Sequence, residues 1–333
     1  MMHLSAYKGV RVSGEKNLVI DPASASVKAD FALVSHAHSD HARISGSKSF
    51  PSYMTPETKA LLEAKGMNLK NSKILELNKK IQLDDFCVEF HNSGHVLGAA
   101  QIELQNNSSC VVTNDFKLHD SIILEGAKPI KCDTLLIEST FGRKEFVFPE
   151  RSLVYEQMLK WLNLHLKQNK FIVLGGYSIG KAQELTKFVN DFLGINPLVH
   201  ESIANANKVY EQFGKKLGKT IPLNHNLRES QVLIMPPHLI TPFLVQTLSL
   251  SLNKKIETAI ATGWNNVSLF KTFPLSDHAD FNQLLQYVKE ASPKQVYTFH
   301  GFDADLAKAI QKELSIPAKP LSHAMQKSLT EFG

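Results

Sequence analysis

The stretch His36-Ala37-His38-Ser39-Asp40-His41 follows the apolar run Phe31-Ala32-Leu33-Val34, with only Ser35 between them. Imidazole nitrogens and carboxylate oxygens are the ligand atoms that zinc uses at open, catalytic sites. Alternate residues at the end of a strand point in different directions. The spacing therefore predicts that His36 and His38 bind one ion, while the last two residues of the stretch approach a second. A chance cluster of histidines is the alternative, which we disfavour because such groups would repel one another once protonated.

Length and composition indicate a large globular protein. The chain has 333 residues, of which 43% are hydrophobic, and this length favours one large domain with an insertion. No apolar stretch reaches the roughly 18 residues that cross a bilayer, and the first four residues lack the features of a secretion signal. We therefore expect a cytoplasmic protein without a membrane partner. The isolated Cys87, Cys110 and Cys132 are expected to be small core residues in a reducing compartment.

Two patterns of apolar residues divide the chain. Up to about residue 138, short apolar strands separated by turns predict an α/β domain rich in paired strands. One helix interrupts them, with Thr55 as N-cap, Pro56 in the first turn and Gly66 just past the end. From about residue 142, long helices near 150–167, 178–193 and 203–217 alternate with buried strands, which predicts a parallel sheet covered by helices.

The net charge also differs along the chain. Residues 142–272 contain 16 Lys plus Arg against 9 Asp plus Glu, a net charge of +7, whereas the whole chain carries +5. Such a contrast fits a basic domain that faces an anionic substrate. For Lys208, Lys215, Lys216 and Lys219 alone, one solvated helix face is the favoured interpretation.

Further candidate residues occur singly at the ends of later apolar segments. His95 is flanked by glycines, which allow a sharp turn. Asp115 follows an apolar strand and could bridge two cations, although an isolated aspartate there is usually a turn residue. Glu138, His278 and His300 each lie at the edge of an apolar element. Together they predict one site, because open α/β sheets build their sites at strand ends.

Six motifs follow one another along the chain: HAHSDH (36–41), SGHVLGAA (93–100), NDF (114–116), ESTFG (138–142), LSDHAD (275–280) and FHG (299–301). In this order they resemble the motifs of the β-CASP nucleases of the metallo-β-lactamase superfamily. That branch includes Artemis-like DNA-repair nucleases and nucleases of RNA 3′-end formation. Gly176–Glu184, Thr262-Gly263-Trp264 and Leu275–Asp280 make the chain most similar to the short ligase-associated DNA exonucleases of bacteria and archaea.

The resemblance implies a fold and a set of roles. The fold is a four-layer αββα metallo-β-lactamase domain at 1–141 and 273–333, with a β-CASP domain, a parallel sheet flanked by helices, inserted at 142–272. The implied ligands are His36, His38 and His95 for one zinc, Asp40, His41 and His300 for the other, and Asp115 as the bridge. The implied catalytic residues are Asp40, Glu138 and His278. A purely structural role beside the metals is the competing interpretation of His278.

Two positions bear on how far the resemblance extends. The family usually has glycine before the bridging aspartate, where this chain has Asn114. Asparagine tolerates left-handed backbone, so we expect the turn to survive. RNA-processing members and ligase-associated DNA exonucleases both keep a histidine at position 300, so His300 does not decide between DNA and RNA.

Ser178, Gly180 and Lys181 lie where a predicted strand gives way to a helix. Backbone amides, a hydroxyl and an ammonium at such a place could hold a terminal phosphate. The alternative is an ordinary glycine turn with Ser178 as the N-cap. A similar Tyr-Ser-x-Gly-Lys stretch in Artemis-like members favours the phosphate pocket. His238, just after the strand 232–235, is a further candidate for contact with nucleic acid.

The resemblance implies a phosphodiester hydrolase with two Zn²⁺ ions, or Mn²⁺ as an alternative activating ion, and a water activated by both metals. We expect a DNA exonuclease of repair that acts on single-stranded ends, with a functional link to a DNA ligase or helicase. An RNA-processing exo- or endonuclease of the same branch is the alternative. The basic insertion and the Glu138–His278 pair disfavour a small-molecule hydrolase, and the complete ligand set disfavours a metal-free binding subunit.

Overall fold

The computed structural model describes residues 3–6, 9–14, 16–24, 27–44, 50–223, 226–264 and 269–321. These residues form two compact units. The first unit takes its described residues from Met1–His119, Gly126–Val147 and His278–Gly333, and the second from Asp120–Glu125 and Phe148–Asp277. The sequence pattern did not indicate that the segment 120–125 packs with the second unit. Ile122 lies against that unit's apolar core, and its amide donates a hydrogen bond to the Tyr155 hydroxyl at 3.4 Å.

The first unit contains two sheets. The strands of the first sheet pair in chain order: β1 (His3–Ala6), β2 (Val10–Ser13), β3 (Asn17–Ile20), β4 (Phe31–Leu33), β5 (Ser52–Met54) and β6 (Ser72–Ile74). The strands of the second sheet are β7 (Lys80–Leu83), β8 (Phe86–Asn92), β9 (Ala100–Gln105), β10 (Ser109–Val112), β11 (Thr134–Glu138), β18 (Gln295–Phe299) and β19 (Ala318–Pro320). Their order in space is β19-β18-β11-β10-β9-β8-β7.

Apolar side chains of both sheets form one core. Val12 and Ile20 of the first sheet are buried in this core together with Val88, Ile102 and Val112 of the second. Alternate residues along these strands point to opposite faces, so the second sheet also has an outer face to bury. Helices cover this outer face.

The helices of the first unit, within the residues that the structure describes, are α1 (Pro56–Ala64), α6 (Phe281–Ala291) and α7 (Asp303–Leu314). Helices α6 and α7 cover the outer face of the second sheet, where Leu135 shares a core with Leu284 and Leu306. Helix α1 contacts β6 and begins as the sequence predicts. The Thr55 hydroxyl caps it by accepting a hydrogen bond from the Thr58 amide at 3.1 Å.

Parallel strand pairs position the candidate site. Strands β3 and β4 are parallel neighbours, and so are β10, β11 and β18. The carboxyl ends of parallel neighbours meet at one edge of their sheet. Asp21 follows β3 and His36 lies just beyond β4, whereas Asp115 lies beyond β10, Glu138 ends β11 and His300 follows β18. The two sheets therefore bring these residues together from distant parts of the chain.

The second unit is a parallel sheet with helices on both faces. Its strands are β12 (Phe171–Gly175), β13 (Leu198–Val199), β14 (Ile221–Pro222), β15 (Val232–Met235), β16 (Ile256–Ala261) and β17 (Lys271–Phe273), in the order β14-β13-β15-β12-β16-β17. Its helices are α2 (Arg151–Lys167), α3 (Lys181–Leu193), α4 (Glu201–Gln212) and α5 (Pro242–Leu252). Ile172 packs with α2, α3 and α4 on one face, and Val173 packs with α5 on the other. The predicted α/β class, with parallel strands flanked by helices, is confirmed.

Glycines set two helix boundaries that the periodicity of apolar residues did not predict. Helix α3 begins at Lys181 rather than Ser178 because Gly180 has a φ of 97°, which interrupts a helix. Helix α4 ends at Gln212, well before residue 217, and Gly214 follows with a φ of 79°. Single positive-φ residues therefore overrule an otherwise helical pattern.

The state of the cysteines and the character of the helices agree with what the sequence predicts. Cys87, Cys110 and Cys132 are free thiols, and burial raises the pKa of Cys132 to about 12. A thiol in that state is neutral and unreactive. Within the described residues, none of the helices combines the length and apolar character needed to cross a bilayer.

Candidate metal centre

Four side chains of the first unit converge in a first cluster. They are His36, His38, His95 and Asp115, and their ligand atoms all lie within 4.8 Å of one another. The His38 Nδ1 atom is 3.2 Å from His36 Nε2 and 3.1 Å from His95 Nε2. The Asp115 Oδ2 atom is 3.5 Å from His36 Nε2 and 3.6 Å from His95 Nε2. These donor atoms are close enough to share one cation.

A second cluster shares Asp115 with the first. It consists of His41, Asp115 and His300, again with ligand atoms within 4.8 Å of one another. The His41 Nε2 atom lies 3.4 Å from Asp115 Oδ2. His300 adopts a left-handed φ of 63°, which turns the chain at the end of β18. Asp115 thus belongs to both clusters, the arrangement that a bridging ligand requires.

The positions of Asp40 and Asp21 were not predicted from the sequence. The Asp40 side chain is 72% exposed and lies 3.6 Å from His41 Nε2, and no three-residue cluster among the described residues includes it. Asp21, to which the sequence analysis gave no role, accepts hydrogen bonds from His41 Nδ1 at 2.8 Å and from the Ser35 hydroxyl at 2.6 Å. The available signal was a carboxylate directly after the apolar strand β3.

A cavity of about 300 Å³ adjoins the second cluster. Asp40, His41 and His300 are among the residues that line it, together with Asp21. The exposed Asp40 carboxylate can therefore reach a ligand in this cavity, although it lies outside the buried clusters.

Burial and opposing charges set the protonation of the clusters. Burial and the neighbouring imidazoles hold the pKa of His36 well below its usual value. Burial acts to lower the pKa of His41 as well, but the carboxylates of Asp115 and Asp21 raise it to about 10. Burial acts to raise the pKa of Asp115, whereas the imidazoles, His41 foremost, hold it well below its usual range. A neutral His36 and an ionised Asp115 are in the states that ligate metals, and His41 would have to lose its proton to solvent when a cation binds.

Glu138 and His278 form a hydrogen-bonded pair beside the first cluster. The fully buried Glu138 accepts a hydrogen bond from His278 Nδ1 at 3.0 Å through Oε2, and one from the Phe116 amide at 2.8 Å through Oε1. The His278 ring centroid is 4.7 Å from that of His95. The hydrogen bond through Nδ1 fixes the orientation of the His278 ring, with Nε2 on the side opposite Glu138.

Left-handed turns bring two of the ligands into place. Gly94 and Gly98, with φ values of 71° and 74°, flank His95. A Cβ on Gly98 would lie 2.5 Å from the Cβ of Glu57, so a larger residue does not fit there. Asn114 has a φ of 48°, the left-handed conformation that the sequence predicts for the turn before Asp115.

Two residues of the predicted phosphate pocket in the second unit have partners within the protein. Lys181 is buried, and its ammonium lies 2.8 Å from Asp277 Oδ1 and 3.3 Å from Glu184 Oε2. The Gly180 amide donates a hydrogen bond to Gln183 Oε1 at 2.7 Å. Both groups thus have partners other than a phosphate, because the turn folds back onto α3.

Ser178 remains as the accessible member of the predicted pocket. Its hydroxyl lies 2.9 Å from the hydroxyl of Ser202, next to the first turn of α4. It does not cap α3, whose N-cap is Gly180.

The donor atoms of the two clusters fit a divalent cation such as zinc. Tetrahedral coordination with Zn–N bonds of about 2.0–2.1 Å places ligand atoms roughly 3.3–3.4 Å apart. The closest separations among the clustered nitrogens and the shared oxygen run from 3.1 to 3.6 Å. Nitrogen and oxygen donors without a thiolate are also the set that leaves zinc open to substrate.

Comparisons with known proteins agree with this donor set. Residues 267–319 match the family described as Zn-dependent metallo-hydrolase RNA specificity domain. The chain is 29% identical over 293 residues to a probable DNA ligase of Opitutus terrae, in a match covering 84% of this chain and 28% of that protein. It is 26% identical over 166 residues to the probable RNase MJ4 of Methanocaldococcus jannaschii, covering 48% of this chain and 38% of that one. The matched part of the chain thus spans well under half of these relatives.

A solved structure shares the fold. A crystal structure of a protein of unknown function from Enterococcus faecalis V583 matches with a TM-score of 0.64 over 95% of this chain and 96% of that one, at 14% identity. The zinc-hydrolase match and the clustered donors together indicate that this protein binds metal. The matched family, the relative named a probable RNase and the two-unit α/β fold indicate similarity to the β-CASP nuclease branch of the metallo-β-lactamase superfamily.

Proposed function

We propose that this protein is a metal-dependent nuclease that hydrolyses phosphodiester bonds with two zinc ions. The observation that carries the proposal is the position of Asp115, whose Oδ2 lies 3.4–3.6 Å from imidazoles of both clusters. A carboxylate so placed can hold two cations side by side, as two-metal phosphodiesterases require. The proposed ligands are His36, His38 and His95 for one ion, His41 and His300 for the other, Asp115 for both, and Asp40 from the exposed side of the second.

The protein's own residues would position the substrate and move a proton. When bound, the cations supply hydroxide at neutral pH and neutralise charge on the phosphodiester. His278 is the proposed general acid, which gives the Nε2 proton to the departing sugar oxygen. Glu138 orients the ring through Nδ1 and stabilises its protonated form, while the Phe116 amide holds Glu138 in place.

We propose DNA with single-stranded ends as the substrate and exonucleolytic removal of nucleotides as the reaction. The relative named a probable DNA ligase supports a functional link to strand joining. RNA is the second candidate substrate. The match of residues 267–319 to a family named for RNA specificity, and the relative named a probable RNase, favour it.

A matched-substrate assay tests both candidates. Purified protein is incubated with Zn²⁺ or Mn²⁺ and with end-labelled DNA and RNA of the same sequence, single-stranded and duplex. We expect metal-dependent cleavage that a chelator abolishes, with faster release of mononucleotides from single-stranded DNA. Cleavage of RNA alone would favour a role in RNA processing. Failure to hydrolyse either polymer would contradict the proposal of a nuclease.

Ser178 is retained as a proposed contact to a terminal phosphate. Substrates with a 5′-phosphate and a 5′-hydroxyl, compared in wild type and Ser178→Ala, test this role. We expect a preference for the phosphate that the substitution reduces. Equal rates on both substrates would remove Ser178 from the site.

A further inference from the structure

The second unit contains a cavity of about 610 Å³. It opens at the carboxyl ends of three neighbouring parallel strands: Tyr177 follows β12, His238 follows β15 and Trp264 follows β16. Ligands of open parallel α/β sheets bind beyond the carboxyl ends of the strands. The volume lies within the range of pockets for small organic ligands. The cavity therefore has the place and size of a binding site.

Aromatic side chains form much of its wall. Tyr177 is 56% exposed, and Trp264 and Phe270 join it among the lining residues. Ile240 and Ile260 are buried and line the cavity as well. The cavity thus combines accessible aromatic rings with an aliphatic surface, which suits a flat ring more than a flexible chain.

The described polar side chains of the wall are few: the hydroxyls of Tyr177, Thr241 and Thr262 and the imidazole of His238. Among the described residues that line the cavity there is no carboxylate, ammonium or guanidinium. His238 can donate or accept a hydrogen bond at the edge of a ring. The Thr262 hydroxyl accepts a hydrogen bond from the Trp264 amide at 3.2 Å, which braces the segment that carries the indole.

The net charge of the segment that contains the cavity favours a ligand whose flat ring belongs to an anionic polymer. Residues 142–272 have a net charge of +7, which attracts a phosphate backbone without reading its sequence. Proteins that hold single-stranded nucleic acid combine positive charge with aromatic side chains on which the bases stack. A neutral apolar peptide would gain nothing from this charge.

We propose that this cavity binds an unpaired base of a single-stranded nucleic acid by stacking it on Tyr177 and Trp264. The proposal rests on the proposed nuclease function, and it names a base contact that would favour single-stranded over duplex substrates. A paired base cannot enter the cavity without leaving its stack, whereas an unpaired base can.

Tryptophan fluorescence provides a direct test. The chain has two tryptophans, and the other one, Trp161, packs against Phe273 and does not line the cavity. In the full chain with Trp161→Phe, Trp264 is the sole indole. It is titrated with a phosphorothioate DNA decamer, which resists hydrolysis, and with a phosphorothioate decamer of the same charge in which every site is abasic. We expect saturable quenching by the first and none by the second.

A kinetic comparison separates this pocket from the proposed reaction. Tyr177→Ala should raise KM for single-stranded substrate about tenfold with kcat unchanged, whereas Phe243→Ala, an exposed aromatic on α5 outside the cavity, should leave KM unchanged. An unaltered KM in Tyr177→Ala, or equal quenching by the abasic decamer, would overturn the pocket even in an active nuclease. Absence of quenching by either decamer would also overturn it and leave the cavity to an apolar peptide. Base-dependent quenching without hydrolysis of any nucleic acid would support the pocket and contradict the nuclease.

Discussion

The two units bury their ionisable side chains in opposite ways. In the first unit, imidazoles of two clusters gather around Asp115 at 3.4–3.6 Å. In the second, Arg151 donates two hydrogen bonds to Glu184, at 2.8 and 2.6 Å, and Lys181 lies 2.8 Å from Asp277. The first arrangement collects metal donors around one carboxylate, whereas the second matches every cation with an anion.

This difference separates a binding site from a structural network. A buried charge requires a partner to offset its desolvation. The network of Arg151, Glu184, Lys181 and Asp277 contains its own partners, so no ligand is needed. The histidines around Asp115 outnumber the carboxylates near them, and imidazole and carboxylate donors this close together suit a shared cation. Complementarity, rather than burial of polar groups as such, therefore distinguishes the metal centre.

Asp115→Ala should have the largest effect, because it removes a ligand from both clusters at once. We expect hydrolysis to slow on the order of ten-thousandfold and zinc content, measured by mass spectrometry, to fall. Asp305→Ala is the matched control, since that carboxylate forms a surface ion pair with Arg143. Full zinc content and turnover in Asp115→Ala would contradict a shared ligand.

His278→Ala should slow hydrolysis roughly a thousandfold, which is typical for loss of a general acid. Zinc content should remain that of the wild type, because the proposed role of His278 is proton transfer. The two measurements are made on one preparation. Loss of zinc would instead make His278 a ligand and reject the general-acid role.

Arg151→Met should destabilise the protein by about 3 kcal/mol, since Glu184 would remain buried without its main partner. Denaturant unfolding measures the loss, and zinc content should not change. Arg143→Met is the control: its ion pair with Asp305 is about half exposed, and such pairs contribute less than about 1 kcal/mol. An equal loss of unfolding free energy in both variants would mean that the buried network stabilises the fold no more than the surface ion pair does.

Acid should weaken the same network in a defined range of pH. Burial acts to raise the pKa of Glu184, but Arg151 and Lys181 lower it to about 2, from 4.5. A carboxyl group with a depressed folded pKa stabilises the fold above its unfolded pKa, and this contribution is lost as the pH falls toward the folded value. The unfolding free energy should therefore decrease between about pH 4.5 and about pH 2, and Arg151→Met should show a shallower decrease there. Parallel pH profiles would contradict the assignment.

Asp21→Asn should have the smallest of these effects. The amide keeps the shape of the side chain but weakens the hold on His41 Nδ1, and loss of such a partner lowers metal affinity by about 10- to 100-fold. A competition titration with a chromogenic zinc chelator measures the change. Asp30→Asn, at an exposed carboxylate that accepts from the Asn17 amide, should leave the affinity unchanged. An equal change in both would remove Asp21 from the site.

Local sequence patterns were sufficient for the α/β class and for the candidate donors that cluster at strand ends. Metal ligation uses few residue types, and the run from His36 to His41 after an apolar strand concentrates them. The same patterns predicted a phosphate contact for Lys181, which follows a glycine, but they did not indicate its partner. Its ammonium pairs with Asp277, which is 96 residues away in sequence. They also passed over Asp21, because its role depends on His41 20 residues later.

The sequence by itself determined which chemistry this protein carries: imidazole and carboxylate donors at the ends of apolar strands, and a basic segment between them. Only the tertiary structure decided that Asp115 belongs to both clusters, that Asp21 lies inside while Asp40 faces solvent, and that Lys181 is paired. The physical reason is that strand periodicity and turn residues are local properties. Which charges face one another across several ångströms depends on how two sheets pack and how parallel strands align.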